Sequence, residues 1–314
     1  MVAWVVVSLA GLCACGSTGP RPLSAGDDDL LLLGEVHDNA SGHAQRLAVL
    51  QRLVQQGARP ALLMEQFDRE LQPAIDRLLA SPAAAGDALS LDSRTDALVA
   101  LTALVATATG AQASAASGWD WSLYRPLLRL ALQYRLRLVA VNVSRSDARA
   151  VIQQGLAARG FDAAVPADIA QAQAAEIERS HCGAVDAAMA RRMAGAQVAR
   201  DQFMAQRLQA YAAAATGAAA GAYAHTNAPA VAYADAPAAA ATPAAGTVRA
   251  VLLAGNGHVR RDVGVPRWLP PALQARTRVI GFVEPGNTAP GAFDQAIEVP
   301  AAPRADPCLA MRQR

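Results

Sequence analysis

The ten residues L-L-L-L-G-E-V-H-D-N, numbered 30–39, decide the fold of this chain. Four consecutive leucines are apolar toward both faces of a sheet, which is typical of a strand buried between two layers of helices. The run stops at Gly34, and the polar side chains of Glu35 and His37 follow immediately. We therefore predict a buried strand over residues 30–33 whose carboxyl end carries chemically reactive groups.

Further apolar runs and helical segments alternate along the chain. Four runs predict additional buried strands, at residues 61–64, 136–143, 248–254 and 278–283. Segments with helical spacing lie between them, at residues 44–56, 71–79, 95–117 and 124–134. This alternation predicts an α/β fold with a mostly parallel sheet flanked by helices. Residues 147–211 contain no strand pattern, so we expect an inserted helical subdomain there.

The remaining segments complete the predicted domain organisation. We expect one α/β domain over residues 30–300, interrupted at 212–246 by an Ala-rich, low-complexity insertion and followed by a loose tail at 301–314. Two cysteines, Cys182 and Cys308, lie in this predicted mature chain. An oxidising compartment would allow them to pair, but their distance in sequence does not decide whether they do.

The overall charge and composition exclude several functions. The 314 residues carry 28 basic and 26 acidic side chains, and this near-balance argues against nucleic acid as the main partner. Every basic residue is arginine, which rules out a phosphate-binding lysine or a lysine Schiff base. The hydrophobic fraction of 53% is largely alanine and does not indicate a membrane protein.

The first residues have the pattern of an exported lipoprotein. Residues 2–12 are almost wholly apolar, too short to span a bilayer but typical of a secretory signal. The sequence Leu12-Cys13-Ala14-Cys15 then resembles a bacterial lipobox. We predict a signal peptide over 1–15, a polar tether over 16–29 and lipid attachment at Cys15. Cys13 is the poorer alternative, because Leu12 is large for the position before the cut.

The predicted strands end in polar residues that parallel pairing would bring to one edge. Glu35 and His37 follow the first strand, Glu65 the second, Asn142 the third and His258 the fourth. Ligands of open parallel sheets bind beyond this carboxyl edge. Two carboxylates and two imidazoles suit a metal ion or general acid/base chemistry. The alternative is that these groups only cap helices or satisfy buried neighbours.

One short segment concentrates the aromatic residues. W-D-W-S-L-Y, residues 119–124, holds three of the Trp and Tyr side chains of a chain that is only 4% aromatic. It predicts either a hydrophobic plug or the wall of a pocket for a flat apolar ligand. A tyrosine phenolate in such a pocket could bind ferric haem. His43, alone on the first predicted helix, is interpreted as solvent-facing.

Seven motifs in order resemble the ChaN family of haem-binding, iron-regulated lipoproteins. They are L-L-L-L-G-E-V-H-D-N (30–39), M-E-Q-F-D-R (64–69), W-D-W-S-L-Y-R-P-L-L (119–128), V-N-V-S-R (141–145), H-C-G (181–183), A-Q-V-A-R-D-Q-F-M-A (196–205) and L-L-A-G-N-G-H-V-R-R-D-V-G-V-P (252–266). The resemblance implies a lipid-anchored protein of haem and iron uptake. It also implies a homodimer that encloses two cofacial haems, and an outer-membrane haem transporter as partner.

The resemblance also implies site residues. A tyrosine with a histidine nearby holds iron in this family, so we expect Tyr124 as the iron ligand, with Tyr134 as the fallback. Trp121 and His258 are expected to contact haem. No acidic residue stands next to Cys15, which favours the outer membrane, facing the periplasm.

A second relationship leads to a different function. The ChaN family is distantly similar to erythromycin esterases and Tiki-type metalloproteases, which implies a periplasmic, metal-assisted hydrolase as the alternative. Its site would consist of Glu35, His37, Glu65 and His258. No G-x-S-x-G motif is present, so a serine nucleophile is not expected. We expect a binding protein rather than an enzyme; a structural or adaptor lipoprotein is the third reading.

Overall fold

A computed structural model describes residues 28–80, 90–108, 118–214, 248–286, 289–306 and 308–309. Six strands lie in these ranges: β1 (Leu30–Leu33), β2 (Ala61–Asp68), β3 (Leu138–Asn142), β4 (Ala250–Leu253), β5 (Thr277–Val283) and β6 (Gln295–Glu298). They form one sheet in the order β3-β2-β4-β1-β5-β6, and every pair is parallel. The predicted α/β fold with a parallel sheet is confirmed.

Helices connect the strands. In chain order they are α1 (Ala40–Gln55), α2 (Gln72–Ala80), α3 (Leu91–Ala108), α4 (Trp121–Gln133), α5 (Arg145–Gln154), α6 (Ala167–Ser180), α7 (Ala187–Ala214), α8 (Asn256–Val259) and α9 (Pro271–Gln274). Short 3-10 turns lie at Arg69–Leu71, Ala157–Arg159 and Val265–Trp268. In the described ranges, no helix has both the length and the apolar character needed to cross a membrane.

The leucine run of β1 serves two separate cores. Leu31 and Leu33 pack into the cluster on the α1 and α4 side, whereas Leu30 and Leu32 pack into the cluster on the α7 side. Successive side chains of a strand point to opposite faces, so a strand covered on both faces must be apolar at every position. This requirement explains why β1 lacks the polar alternation of a half-exposed strand.

The sequence-based prediction differs from the structure at one edge of the sheet. Residues Gln295–Glu298 form β6, which we did not predict, because only alternate positions are partly buried and the segment carries charge. Helices α5, α6 and α7 occupy the region expected to be helical. Residues 215–247, which contain most of the predicted insertion, and the signal and lipidation site within 1–27 lie outside the described residues.

The C-terminal tail is attached to the body at two points, where the sequence predicted a loose segment. Arg304 pairs with Asp38 at 2.7 Å and with Glu284 at 2.6 Å. Cys308 forms a disulfide with Cys182, and their Cα atoms are 5.5 Å apart. The pairing that the sequence left open is therefore present, and it ties the tail to the turn between α6 and α7.

Removing this disulfide should destabilise the protein. Replacing both cysteines (Cys182→Ser with Cys308→Ser) should lower the free energy of unfolding by about 2–4 kcal/mol, because the cross-link restricts the unfolded chain. Denaturant titration measures the change. A reducing agent should have the same effect on the parent protein and none on the double variant. Equal stability of parent and double variant would contradict the prediction.

Candidate functional site

The carboxyl ends of the central strands form the floor of a cavity of about 970 Å³. Glu35 and His37 after β1, Glu65 on β2, Asn142 at the end of β3 and His258 after β4 all line it. The structure therefore brings together the polar groups that the sequence placed at this edge. Helices α6 and α7 supply the opposite wall.

Glu35 is the centre of a buried hydrogen-bond network. Its Oε1 atom accepts hydrogen bonds from His37 Nδ1 at 2.6 Å and from the Tyr124 hydroxyl at 2.6 Å. The amide of Gln66 donates to the same oxygen at 3.2 Å. The other oxygen, Oε2, is ion-paired with Arg46 of α1. Burial alone would raise the pKa of Glu35, but Arg46, His37 and His43 together outweigh it and hold the pKa below its usual range.

Arg46 and His43 stand behind Glu35 and were not recognised from the sequence. Arg46 is 0% exposed, and His43 is also buried, contrary to the expected solvent-facing position. Arg46 donates to His43 Nδ1 at 3.0 Å, so His43 Nε2 carries the proton and donates to the His37 carbonyl at 2.9 Å. Burial and the positive charge of Arg46 lower the pKa of His43, which keeps this imidazole neutral.

His37 presents one ring nitrogen to the cavity. Its side chain is 48% exposed, and its ring packs edge-on against Trp119 with centroids 4.6 Å apart. Nδ1 is bonded to Glu35, whereas Nε2 has no hydrogen-bond partner among the residues that the structure describes. Burial lowers the pKa of His37, but the hydrogen bond to Glu35 and the charges of Glu65 and Glu35 together outweigh this and raise it.

Gly255 lets the ring of His37 lie close to the chain after β4. A Cβ atom at Gly255 would be 2.9 Å from His37 Cε1, closer than real Cβ atoms approach a neighbour. The backbone N–H of Gly255 also donates to Glu65 Oε2 at 2.8 Å. This glycine therefore permits a close backbone approach and joins the Glu35 network to the Glu65 network.

His258 is held between two carboxylates. Its Nδ1 donates to Asp201 Oδ1 at 2.6 Å, and its Nε2 lies 3.5 Å from Glu65 Oε1. Burial lowers the pKa of His258, but Glu65 and Asp201 outweigh it and raise the pKa to about 10. Burial raises the pKa of Glu65, yet His258 lowers it to about 2. His258 is thus an imidazolium at neutral pH with both N–H groups directed at carboxylates, a partner arrangement the sequence did not reveal.

The aromatic residues expected at the ligand lie elsewhere. Tyr124 is 0% exposed and does not line the cavity, because its hydroxyl is directed at Glu35 beneath the floor. Trp121 packs in the core against Phe67, with ring centroids 5.3 Å apart. Tyr134 caps the other end of α4 and packs under Arg59. Trp119 is the aromatic residue of this segment that lines the cavity.

The metal-assisted alternative named Glu35, His37, Glu65 and His258 as its site. Within the described ranges, no three His, Cys, Asp or Glu side chains are arranged to hold a metal ion. An imidazolium such as His258 has no lone pair to offer a cation. The four residues expected for a hydrolase form two networks, around Glu35 and around Glu65, which meet at Gly255.

Comparison with known proteins identifies the family. A family model described as haem-binding uptake, Tiki superfamily, ChaN, matches residues 24–227. The chain belongs to this family. The resemblance seen in the sequence motifs is confirmed, and haem as cofactor is confirmed at the level of the ChaN family. No curated protein matches the sequence.

Solved structures of similar fold include one ChaN protein. The structure of cofacial haem binding to ChaN of Campylobacter jejuni is 15% identical, with a TM-score of 0.56, and the match covers 85% of this chain and 86% of that one. An erythromycin esterase mutant, EreC, in its open conformation is 14% identical with a TM-score of 0.40, over 85% of this chain and 75% of that one. At these identities the likeness to ChaN shows a shared fold alone.

Removing the partner of Glu35 should be costly. Arg46→Met leaves a buried carboxylate without its counter-ion, so the free energy of unfolding should fall by about 3–5 kcal/mol. Denaturant titration at pH 7 measures this. The matched control is Arg52→Met on the exposed face of the same helix, which should cost under about 0.5 kcal/mol. Similar losses in the two variants would show that Glu35 does not depend on Arg46.

Proposed function

We propose that this protein binds haem in the cavity at the carboxyl edge of the sheet and serves haem or iron uptake. One observation carries the proposal. In a chain of the haem-binding ChaN family, His37 presents to a large cavity, next to Trp119, a ring nitrogen with no partner among the described residues. A neutral imidazole nitrogen is a standard protein ligand of haem iron, so binding at His37 would release any proton carried by Nε2.

The cavity has the size and groups that haem requires. Its volume of about 970 Å³ is at the upper end of small-molecule pockets. Trp119 offers an aromatic surface, and several arginines line the wall where acidic substituents could be held. Haem, when bound, supplies the iron that would accept the Nε2 lone pair of His37. Glu35, bonded to Nδ1, fixes the tautomer and orientation of the ring, as carboxylates do behind metal-bound histidines.

His37 replaces Tyr124 as our candidate iron ligand. A ferric tyrosinate needs an ionised phenol, but burial, followed by the charge of Glu35, raises the pKa of Tyr124 far above its usual value. Its hydroxyl proton is held by Glu35 at 2.6 Å. We propose that the hydrogen bond from Tyr124 fixes the position of the Glu35 carboxylate from the side of the core. We also propose that Trp119 forms the pocket wall that was expected of Trp121.

Haem titration of the purified full-length protein tests the proposal. The parent protein should shift the Soret band at micromolar haem, with the spectrum of a histidine-ligated centre. His37→Ala should lose that spectrum, because the iron loses its ligand. His181→Ala, a matched control outside the cavity lining, should retain it.

Two results would contradict this assignment in different ways. No Soret shift with the parent protein would exclude haem binding. Loss of the shift in Tyr124→Phe together with its retention in His37→Ala would make the iron ligand a tyrosine, as the family resemblance implied.

We also propose that the protein is lipid-anchored at Cys15 in the outer membrane, facing the periplasm, with an outer-membrane haem transporter as partner and a homodimer on haem binding. The Cys182–Cys308 disulfide supports export, because such bonds persist in oxidising compartments. The dimer and the transporter follow from the family resemblance.

Metabolic labelling with a palmitate analogue tests the anchor. The parent protein should be labelled, and Cys15→Ser should not be, because the acyl acceptor is gone. Cys13→Ser is the control and should remain labelled. Label that survives in Cys15→Ser would place the anchor at another residue, and an unlabelled parent would show that no anchor is attached.

A further inference from the structure

Four arginines line the cavity, and their charges are balanced differently. Arg260 binds Asp262 with two hydrogen bonds of 2.9 and 2.5 Å, and Arg179 is paired with Glu176. These two guanidinium groups already have a carboxylate of their own. A further acidic ligand would have to compete with it.

Arg145 and Arg200 have no such carboxylate. Among the residues that the structure describes, neither forms an ion pair. Arg200 donates its Nε hydrogen to the side-chain oxygen of Asn142 at 3.1 Å, which leaves the terminal nitrogens of the guanidinium available. Arg145 is exposed at the start of α5. The cavity wall at the end of β3 therefore carries two arginines that form no direct ion pair within the described ranges.

Trp119 and its neighbour Gly118 lie between His37 and the cavity wall that carries Arg145 and Arg200. Trp119 packs 4.6 Å from the His37 ring, measured between centroids. Its neighbour Gly118 lies beside Arg145, since a Cβ atom there would be 3.6 Å from Arg145 Nη2. A flat ligand along Trp119 would thus have His37 at one end and Arg145 at the other.

We propose that Arg145 and Arg200 form a carboxylate subsite that holds a propionate of haem; this inference rests on the proposed haem function. Guanidinium groups match carboxylates through paired, charge-assisted hydrogen bonds, and this chain has no lysine that could serve instead. The unpaired arginines determine the orientation of the ligand in the cavity. Arg179 and Arg260 do not contribute, because their charges are already neutralised.

Asp68 is the acidic side chain that opposes this subsite. It accepts a hydrogen bond of 3.1 Å from the amide of Asn142, the same side chain that accepts from Arg200. Burial, followed by the charge of Glu70, raises the pKa of Asp68 to about 6, while the charges of Arg200 and Arg145 oppose that rise. An incoming propionate would share these arginines with Asp68. Removing the charge of Asp68 should therefore tighten propionate binding.

The experiment compares haem with its dimethyl ester, which lacks the propionate charges. Arg145→Gln and Arg200→Gln should each weaken haem binding by about tenfold or more, since a charged hydrogen bond is lost. Neither should change the affinity for the ester. Arg179→Gln and Arg260→Gln are matched controls on the same cavity and should bind haem as the parent does. Asp68→Asn should bind haem more tightly and the ester unchanged.

The possible results separate the subsite from haem binding itself. Equal affinities of the parent for haem and ester, with no effect of Arg145→Gln or Arg200→Gln, would overturn the subsite and leave haem binding intact. Equal losses of haem affinity in all four arginine variants would show that only the total positive charge of the cavity matters. That result would also overturn the subsite. Absence of binding of both ligands to the parent would overturn the proposed function. Circular dichroism verifies that each variant is folded.

Discussion

The site depends on one buried ion pair, between Glu35 at the end of β1 and Arg46 on α1. Taking two charges out of water costs several kcal/mol for each ion. A buried pair therefore persists only where further hydrogen bonds satisfy the remaining lone pairs of the carboxylate oxygens. Glu35 meets this condition with three hydrogen bonds, from His37, Tyr124 and Gln66. These hydrogen bonds orient all three side chains. His37 and Gln66 line the cavity, whereas Tyr124 does not.

The two histidines of the floor differ because their partners differ. His37 meets a carboxylate at one nitrogen only, so the other is left toward the cavity. His258 has a carboxylate at each nitrogen, which makes it a fixed cation that orders Glu65 and Asp201. Residue type alone therefore does not assign a function to an imidazole. The number of its buried acidic neighbours decides whether it can bind another group.

The sequence predicted the strand ends correctly because the leucine run of 30–33 and the polar residues after it lie in adjacent positions. It did not predict their partners, which come from distant helices. Arg46 had a recognisable signal: it precedes Val49, Leu50 and Leu53 by three, four and seven residues and thus shares their buried face. Asp201 lies in the motif A-Q-V-A-R-D-Q-F-M-A (196–205) of the family resemblance, but nothing in that motif indicates that its carboxylate meets His258.

The roles of the aromatic residues depend on where α4 begins. Asp120 caps the helix by accepting from Ser122 N at 3.0 Å, so Trp119 lies before the first turn. Trp121 and Tyr124 are three residues apart within the helix and point together into the core. A periodic pattern cannot distinguish these positions unless the cap is recognised. Because the cap excludes Trp119 from the helix, this ring is left to line the cavity between His37 and the two arginines, Arg145 and Arg200, that form no ion pair in the described part of the chain.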